Sequence, residues 1–175
     1  MEKNKIKVTM NAIQGQICAL LPAPAIGMLL MIAYLLYGKS FFTGNDDWRI
    51  IVACGAAMAS MIPHEFIHFL GWNFVTKRGL DCFTIKLKGL LGASITFHGN
   101  MSVKDFMVGL LAPTITTAII PCVIGVVIGS FSITFYGILM FMGCGSDILM
   151  FFKLLKYRDC NCYDPGNITG VVVLQ

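Results

Sequence analysis

The sequence contains little charge: 13% of its 175 residues are Asp, Glu, Lys or Arg, whereas 57% are hydrophobic. A soluble domain carries about 25% charged residues, so this composition argues against an ordinary soluble protein and is typical of an integral membrane protein. The net charge of +4 is small. Because the basic residues lie between apolar segments, they serve to orient the chain in a lipid bilayer, and we expect no nucleic-acid partner.

The sequence also lacks the cysteine spacing of a disulfide framework. Its seven cysteines are scattered, and four of them fall within apolar segments, where a thiol behaves as a small hydrophobic group. Cys160 and Cys162 form a Cys-x-Cys pair that could bind a metal. Two ligands do not complete a zinc site, so the sequence leaves the role of this pair open.

Four apolar segments are long enough to cross a bilayer, which takes about 20 apolar residues. They cover approximately residues 17–38, 50–74, 106–129 and 131–155. Backbone polar groups in lipid must be paired within their own segment, so each one is expected to be a helix. The first segment exceeds the ~7–15-residue core of a signal peptide. The sequence therefore predicts an all-α membrane protein, a single domain of four transmembrane helices.

The pattern changes between the second and third segments. Residues 83–88 alternate apolar and polar side chains, and a glycine-rich stretch separates them from a second candidate strand that ends near residue 98. This alternation is typical of strands. We therefore predict a short β-hairpin at about residues 82–98, at the membrane interface or lining a cavity, since open sheet edges are not tolerated in lipid.

Basic residues concentrate in three places: the N-terminus, the loop over residues 75–105 and the C-terminal tail. Segments rich in Lys and Arg remain on the cytoplasmic side of a membrane. The charge pattern therefore predicts that both termini and this loop lie in the cytoplasm.

The second apolar segment contains the motif Pro63-His64-Glu65-Phe66-Ile67-His68. Residues four apart share one face of a helix, so both imidazoles can bind one metal ion, with Glu65 beside it as a catalytic base. In a soluble helix this pattern often arises by chance. Inside a membrane, ionisable residues cost ~2.5–3.5 kcal/mol and are usually functional. The motif therefore predicts a Zn²⁺ site with His64 and His68 as ligands.

Asp147 is the predicted third ligand, because it is the only other acidic residue within the apolar segments. The second and fourth segments run in the same direction. His64 lies 14 residues after the start of its segment, and Asp147 lies 16 residues after the start of its own. At 1.5 Å per residue the two depths differ by about 3 Å. The alternative is an Asp that forms hydrogen bonds only with its helix neighbours.

Two weaker predictions concern polar residues and the proline. His98 and Asn100 follow the predicted hairpin and could line a substrate cleft or bind an oxyanion, although a histidine in a loop is more often simply solvated. Pro63 removes one helical hydrogen bond and is expected to kink or restart the helix just before the motif.

These motifs resemble those of the site-2 protease superfamily of intramembrane zinc metalloproteases. The chain is most similar to a family of bacterial membrane proteins described as zincin peptidases. The resemblance runs from about residue 50 to the C-terminus and rests on the motif at residues 64–68 and on Leu111-Ala112-Pro113. Two positions differ: Ser146-Asp147-Ile148 stands where site-2 proteases usually have Leu-Asp-Gly, and Thr116 stands where many have Asn.

The resemblance implies an intramembrane zinc peptidase of the bacterial cytoplasmic membrane that acts on a peptide or a membrane protein. The alternative is a partner-binding or accessory membrane protein with a vestigial metal site. A transporter is less consistent with the sequence, because it shows no internal repeat. The sequence predicts neither the substrate nor the oligomeric state.

Overall fold

The computed structural model describes residues 5–20, 23–36, 47–79, 82–88, 92–165 and 170–175. These residues are mostly helical and also form two small sheets. The α-helices of this part of the chain, α1 to α8, are Ala12–Leu20, Ala23–Leu36, Asp47–Ala59, Met61–Thr76, Val103–Pro113, Ile120–Ile128, Phe131–Gly143 and Gly145–Leu154. Its strands, β1 to β6, are Lys5–Thr9, Phe83–Lys88, Gly92–Phe97, Met101–Ser102, Asn161–Tyr163 and Gly170–Leu174.

The helix predicted over residues 106–129 is confirmed. Helices α5 and α6 are joined by a π-helical turn, Thr114–Ile119, so that Val103–Ile128 is one continuous helix of 26 residues. Its length of about 39 Å exceeds the ~30 Å hydrocarbon core of a bilayer. Among the described helices, this is the one that is long and apolar enough by itself to cross a membrane.

The helices predicted over residues 50–74 and 131–155 are each replaced by a bent pair. Helices α3 and α4 meet at 47°, and α7 and α8, with the 3₁₀ turn that follows α8, meet at 50°. Pro63 explains the first bend, because its ring clashes with the carbonyl of residue 59, where α3 ends. Gly143 and Gly145 flank the second bend and weaken the helix there. Each pair has the length and composition of one span only if its two halves are taken together.

The first predicted span, residues 17–38, covers the end of α1 and all of α2, and neither of these described helices, of 9 and 14 residues, has the ~20 residues of a span by itself. Residues 21–22 and 37–38 of this prediction lie outside the described part of the chain.

The predicted β-hairpin is confirmed. Strands β2 and β3 pair in an antiparallel register that runs from Phe83 opposite Phe97 to Lys88 opposite Gly92. The connecting residues 89–91 lie outside the described residues.

A second sheet corrects the all-α prediction. Its strand order is β1-β6-β5-β4, and β1 pairs antiparallel with β6 from Lys5 opposite Leu174 to Thr9 opposite Gly170. Gly170 has φ 147°, and a side chain there would overlap the backbone of Val8. This sheet joins the N-terminal strand, the C-terminal strand and the residues after the hairpin, so all three lie at the same end of the protein.

The buried core lies at this end of the molecule, between the sheets and the helices α4, α5 and α8. It is built from aliphatic and aromatic side chains of all these elements, among them Val8, Phe69, Phe97, Val103, Leu154 and Val173. This packing fixes the positions of α4 and α8 relative to α5. The predicted metal ligands lie on α4 and α8.

Candidate metal centre

His64 and His68 lie one helical turn apart on the buried face of α4. They are 5% and 4% exposed, and their ring centroids are 4.9 Å apart in an edge-to-face arrangement. Their Nε2 atoms point toward the same place, where both approach one carboxylate oxygen of α8. The helical spacing of the motif therefore produces the shared face that the sequence predicts.

That carboxylate belongs to Asp147, in the first turn of α8. Its Oδ2 lies 3.2 Å from His64 Nε2 and 3.4 Å from His68 Nε2, and its side chain is 14% exposed. One possible ligand atom from each of the three residues lies within 4.8 Å of the others. The structure thus brings together the three residues that the sequence selects, whereas their role as metal ligands stays a prediction.

Helix α5 fixes the orientation of the His68 ring. His68 Nδ1 donates a hydrogen bond of 2.9 Å to the carbonyl oxygen of Gly109. Because Nδ1 carries the proton in this bond, the neutral ring has its lone pair on Nε2, the atom that faces Asp147. Metal-bound histidines commonly donate their other N–H to a backbone carbonyl in this way.

Close contact between α4 and α5 makes this hydrogen bond possible. A side chain at Gly109 would overlap the indole ring of Trp72. That indole stacks on the His68 ring at 5.5 Å, and its Nε1 donates to the carbonyl of Phe106 at 2.9 Å. Glycine at position 109 therefore lets the helices approach until the His68 ring reaches the backbone of α5.

The opposite edge of His64 faces a thiol. The Cys144 Sγ lies 3.9 Å from His64 Nδ1, and Cys144 is fully buried at the bend between α7 and α8. The hydroxyl of Thr114 is buried beside this thiol. The second ring nitrogen of His64 thus faces a thiol, whereas that of His68 donates to a backbone carbonyl.

The donor set fits a zinc ion. Two imidazole nitrogens and one carboxylate oxygen converge. In the neutral His68 ring set by Gly109, the lone pair of Nε2 faces the Asp147 carboxylate, so a proton or a cation must lie between these two atoms. Zinc bonds of 2.0–2.1 Å in tetrahedral geometry separate neighbouring ligand atoms by about 3.3–3.4 Å. The observed separations of 3.2 and 3.4 Å have this size. Three protein ligands also leave one position open, as in catalytic zinc sites.

Glu65 follows His64 on α4, and its residue is half-buried. Consecutive helical residues point about 100° apart, so Glu65 lies beside the face that carries the two histidines. Its predicted role as catalytic base stays a prediction.

His98 and Asn100 lie beyond the hairpin and are both exposed. The His98 Nε2 lies 2.5 Å from Thr84 Oγ1, and the Asn100 carbonyl accepts a hydrogen bond from Arg78 at 2.7 Å. These contacts tie the end of the hairpin to β2 and to the end of α4. Substrate binding by either residue stays a prediction.

Sequence reasoning missed the residues that orient the two imidazoles. Gly109 and Cys144 belong to ordinary apolar helical sequence, and no local motif marks either one. The signal available was the Gly-Cys-Gly sequence at residues 143–145, since flanking glycines predict a helix break and place the cysteine at that break.

Comparison with known protein families agrees with this geometry. The model of a family described as "Putative zincin peptidase" matches residues 57–162, which is more than half of the chain. The chain belongs to this family. The matched range contains His64, Glu65, His68 and Asp147, and it excludes β1 and β6. Membership of this zincin peptidase family implies zinc as the metal, which the donor set fits. No curated protein and no solved structure matches the chain significantly.

Proposed function

We propose that the chain is an intramembrane zinc metallopeptidase of the site-2 protease type. His64, His68 and Asp147 hold the zinc, and Glu65 is the catalytic base. The substrate is a peptide bond in a membrane-embedded or membrane-proximal segment. The observation that carries this proposal is the convergence of two buried imidazoles on one carboxylate from a different helix, at 3.2 and 3.4 Å.

The surface of the helices supports a location in the membrane. Large apolar side chains are exposed on α2, α3, α4 and α6, including Leu29, Ile51, Phe74 and Val127. Soluble monomers rarely expose apolar surface on this scale, whereas lipid covers it without cost. The pairing of β1 with β6 supports the predicted topology, because it puts both termini at one end. We assign that end to the cytoplasmic side of the bacterial membrane.

The chemistry of the site follows from its donors. Bound zinc supplies Lewis acidity, which makes water a nucleophile near neutral pH and polarises a peptide carbonyl. The Glu65 carboxylate accepts the proton of the attacking water and returns it to the departing amine nitrogen. Asp147 brings one negative charge to the buried donor set, and the hydrogen bond to Gly109 keeps the His68 Nε2 lone pair available.

The test uses the full chain, purified in detergent and reconstituted in liposomes, beside its Glu65→Gln variant. We expect one zinc per chain in both proteins by elemental analysis. With a library of fluorogenic membrane-spanning peptides, only the wild type should show cleavage, and the variant should lose at least ~100-fold in rate, the size of a general-base contribution. Asp159→Asn, which removes an exposed carboxylate after α8, is the matched control and should leave cleavage unchanged.

Three outcomes would contradict the proposal. A wild-type chain without stoichiometric zinc has no metal centre. A chain that holds zinc but cleaves none of the peptides is the accessory protein with a vestigial site that the sequence offers as the alternative. A chain that cleaves equally well with Gln at position 65 does not use Glu65 as its catalytic base.

A further inference from the structure

A groove of about 560 Å³ lies between β1 and the end of α8, and none of the candidate metal ligands lines it. Residues 6–9 of β1 form one wall, and residues 152–157, without Leu154, form the other. Among the described residues, the lining contains three lysines, Lys7, Lys153 and Lys156, and no acidic residue. The groove is therefore strongly basic, although apolar side chains make up much of its lining.

The lysines carry charge that no carboxylate among the described residues neutralises. Lys153 Nζ donates to the carbonyl of Thr9 at 3.0 Å and to Gln14 Oε1 at 3.2 Å. An ammonium group has three donors, so one remains for a ligand. Lys156 Nζ lies 4.8 Å from the ring centroid of Tyr157, a contact that orients the ammonium without cancelling its charge.

Apolar side chains are exposed beside these lysines. Phe152 is 61% exposed and Leu155 is 41% exposed. Both follow Asp147 on the same helix, about 8–12 Å farther along its axis, near the end of the bent pair formed by α7 and α8. Cationic and apolar groups therefore alternate at the level where this candidate span leaves the hydrocarbon core.

We propose that this groove binds the phosphate of an anionic phospholipid headgroup. Lys7, Lys153 and Lys156 surround the phosphate, while Phe152 and Leu155 contact the upper acyl chain. Basic pockets at the cytoplasmic ends of membrane helices bind anionic headgroups by this combination of contacts. The proposal rests on the membrane location assigned above and does not depend on peptidase activity.

The test uses the delipidated full chain in a zwitterionic detergent. Short-chain phosphatidylglycerol and phosphatidylcholine are titrated separately, and binding is measured by native mass spectrometry. We expect clear preference for phosphatidylglycerol. The double variant Lys7→Gln/Lys156→Gln should weaken phosphatidylglycerol binding about thirty-fold, since each basic residue near an anionic lipid contributes roughly a factor of five. The matched control Lys77→Gln/Arg158→Gln removes two exposed charges outside the groove and should change binding less than two-fold.

Other outcomes overturn the proposal in distinguishable ways. If both double variants lose the same amount of phosphatidylglycerol affinity, the net charge of the protein attracts the lipid and the groove is not a specific binding site. Competition by inorganic phosphate at the same concentration as the lipid means a free-phosphate site. Tighter binding of an acidic peptide than of phosphatidylglycerol means that the edge of β1 pairs with a protein strand. Zinc content is measured in the same samples, so a zinc-free wild type that still binds the lipid rejects the peptidase and leaves the groove intact.

Discussion

Between α3 and α4 the chain turns at Ser60, and between α7 and α8 it turns at Cys144. Both turns lie three or four residues before a residue of the metal centre, His64 in the first case and Asp147 in the second. Their bend angles are nearly equal, 47° and 50°. A bend in each pair redirects the helix so that its ligand faces the other pair, but the two bends are stabilised differently.

The Ser60 turn is held by hydroxyl groups at some distance from the metal. Ser60 Oγ donates to the carbonyl of Ala56 at 2.7 Å and accepts a hydrogen bond from Tyr136 at 2.9 Å. Tyr136 lies on α7, so this contact joins the first bend to the second helix pair. Among the described residues, none of these hydroxyls forms a hydrogen bond with a candidate ligand, although the Ser60 carbonyl accepts one of 2.9 Å from the backbone N–H of His64.

The Cys144 turn adjoins the candidate metal centre. Its carbonyl accepts hydrogen bonds of 3.0 Å from the backbone N–H groups of Asp147 and Ile148. Its thiol faces His64 Nδ1. One residue therefore contacts both halves of the ligand set. Both turns accept a backbone hydrogen bond from a candidate ligand residue, but only the second also places a side chain against a ligand ring. We therefore expect that removing a side-chain contact at the first bend leaves metal binding unchanged, whereas removing one at the second bend weakens it.

The largest effect should come from removing the charge after the second bend. Asp147→Asn keeps the size of the side chain but replaces an anionic ligand by an amide. Zinc affinity, measured by competition with a chromophoric chelator, should fall by more than ~100-fold, beyond the 10–100-fold typical of groups that only support a ligand. Asp159→Asn serves as the control and should bind zinc like the wild type. Unchanged affinity in Asp147→Asn would remove α8 from the metal centre.

Much of the site could be predicted from the sequence, because its determinants are local or additive. The spacing of His64 and His68 places them on one face of a helix. Counting residues from the start of each apolar segment predicts that Asp147 lies at about the same depth in the membrane as His64. The hairpin was equally accessible, since alternation over residues 83–88 and the glycines after it are local signals.

The bend before the motif was predicted from Pro63, but the second bend and the second sheet could not be predicted as readily, for two physical reasons. A break inside an apolar run leaves composition unchanged, so residues 131–155 look like one span even though the helix breaks at Cys144. Pairing of β1 with β6 joins residues more than 160 positions apart, and a strand of five residues carries little information about so distant a partner. The alternation of Lys5-Ile6-Lys7-Val8-Thr9 was the one local signal of β1.

A smaller effect should follow from removing the thiol at the second bend. In Cys144→Ala, His64 Nδ1 loses its facing polar atom, and we expect zinc affinity to fall about ten-fold, at the low end for a supporting contact. Cys144→Ser retains a polar atom of similar size and should stay within about three-fold of the wild type. If the alanine variant binds zinc as tightly as the serine variant, the thiol does not orient His64, and the two bends differ only in burial.

A change at the first bend should alter stability but not metal binding. Tyr136→Phe removes the hydrogen bond to Ser60 and should lower the free energy of unfolding by about 0.5–1.5 kcal/mol. Zinc affinity should remain at the wild-type value. A double-mutant cycle with Ser60→Ala separates this contact from other effects of either change. Additive losses in the cycle would show that the two hydroxyls do not interact, and a loss of zinc in Tyr136→Phe would show that the first bend also supports the site.

The smallest effect is expected at Cys162, which reports whether these changes stay local. Burial raises the pKa of its thiol to about 12, with a smaller contribution from Asp105 and Asp164. At pH 8 only about one thiol in ten thousand is then ionised, and alkylation of the folded protein should be slow and rise about ten-fold with each unit of pH.

Mass spectrometry of the labelled peptide, in a Cys160→Ala background, gives the rate of alkylation at Cys162 alone. The rate should be the same in Tyr136→Phe and Cys144→Ala as in their parent, because β5 follows the C-terminal end of α8, whereas the bend lies at its N-terminal end. Faster labelling in only one variant would mean that its bend is coupled to the sheet. The two bends would then differ in whether they affect a distant part of the structure, as well as in their contacts.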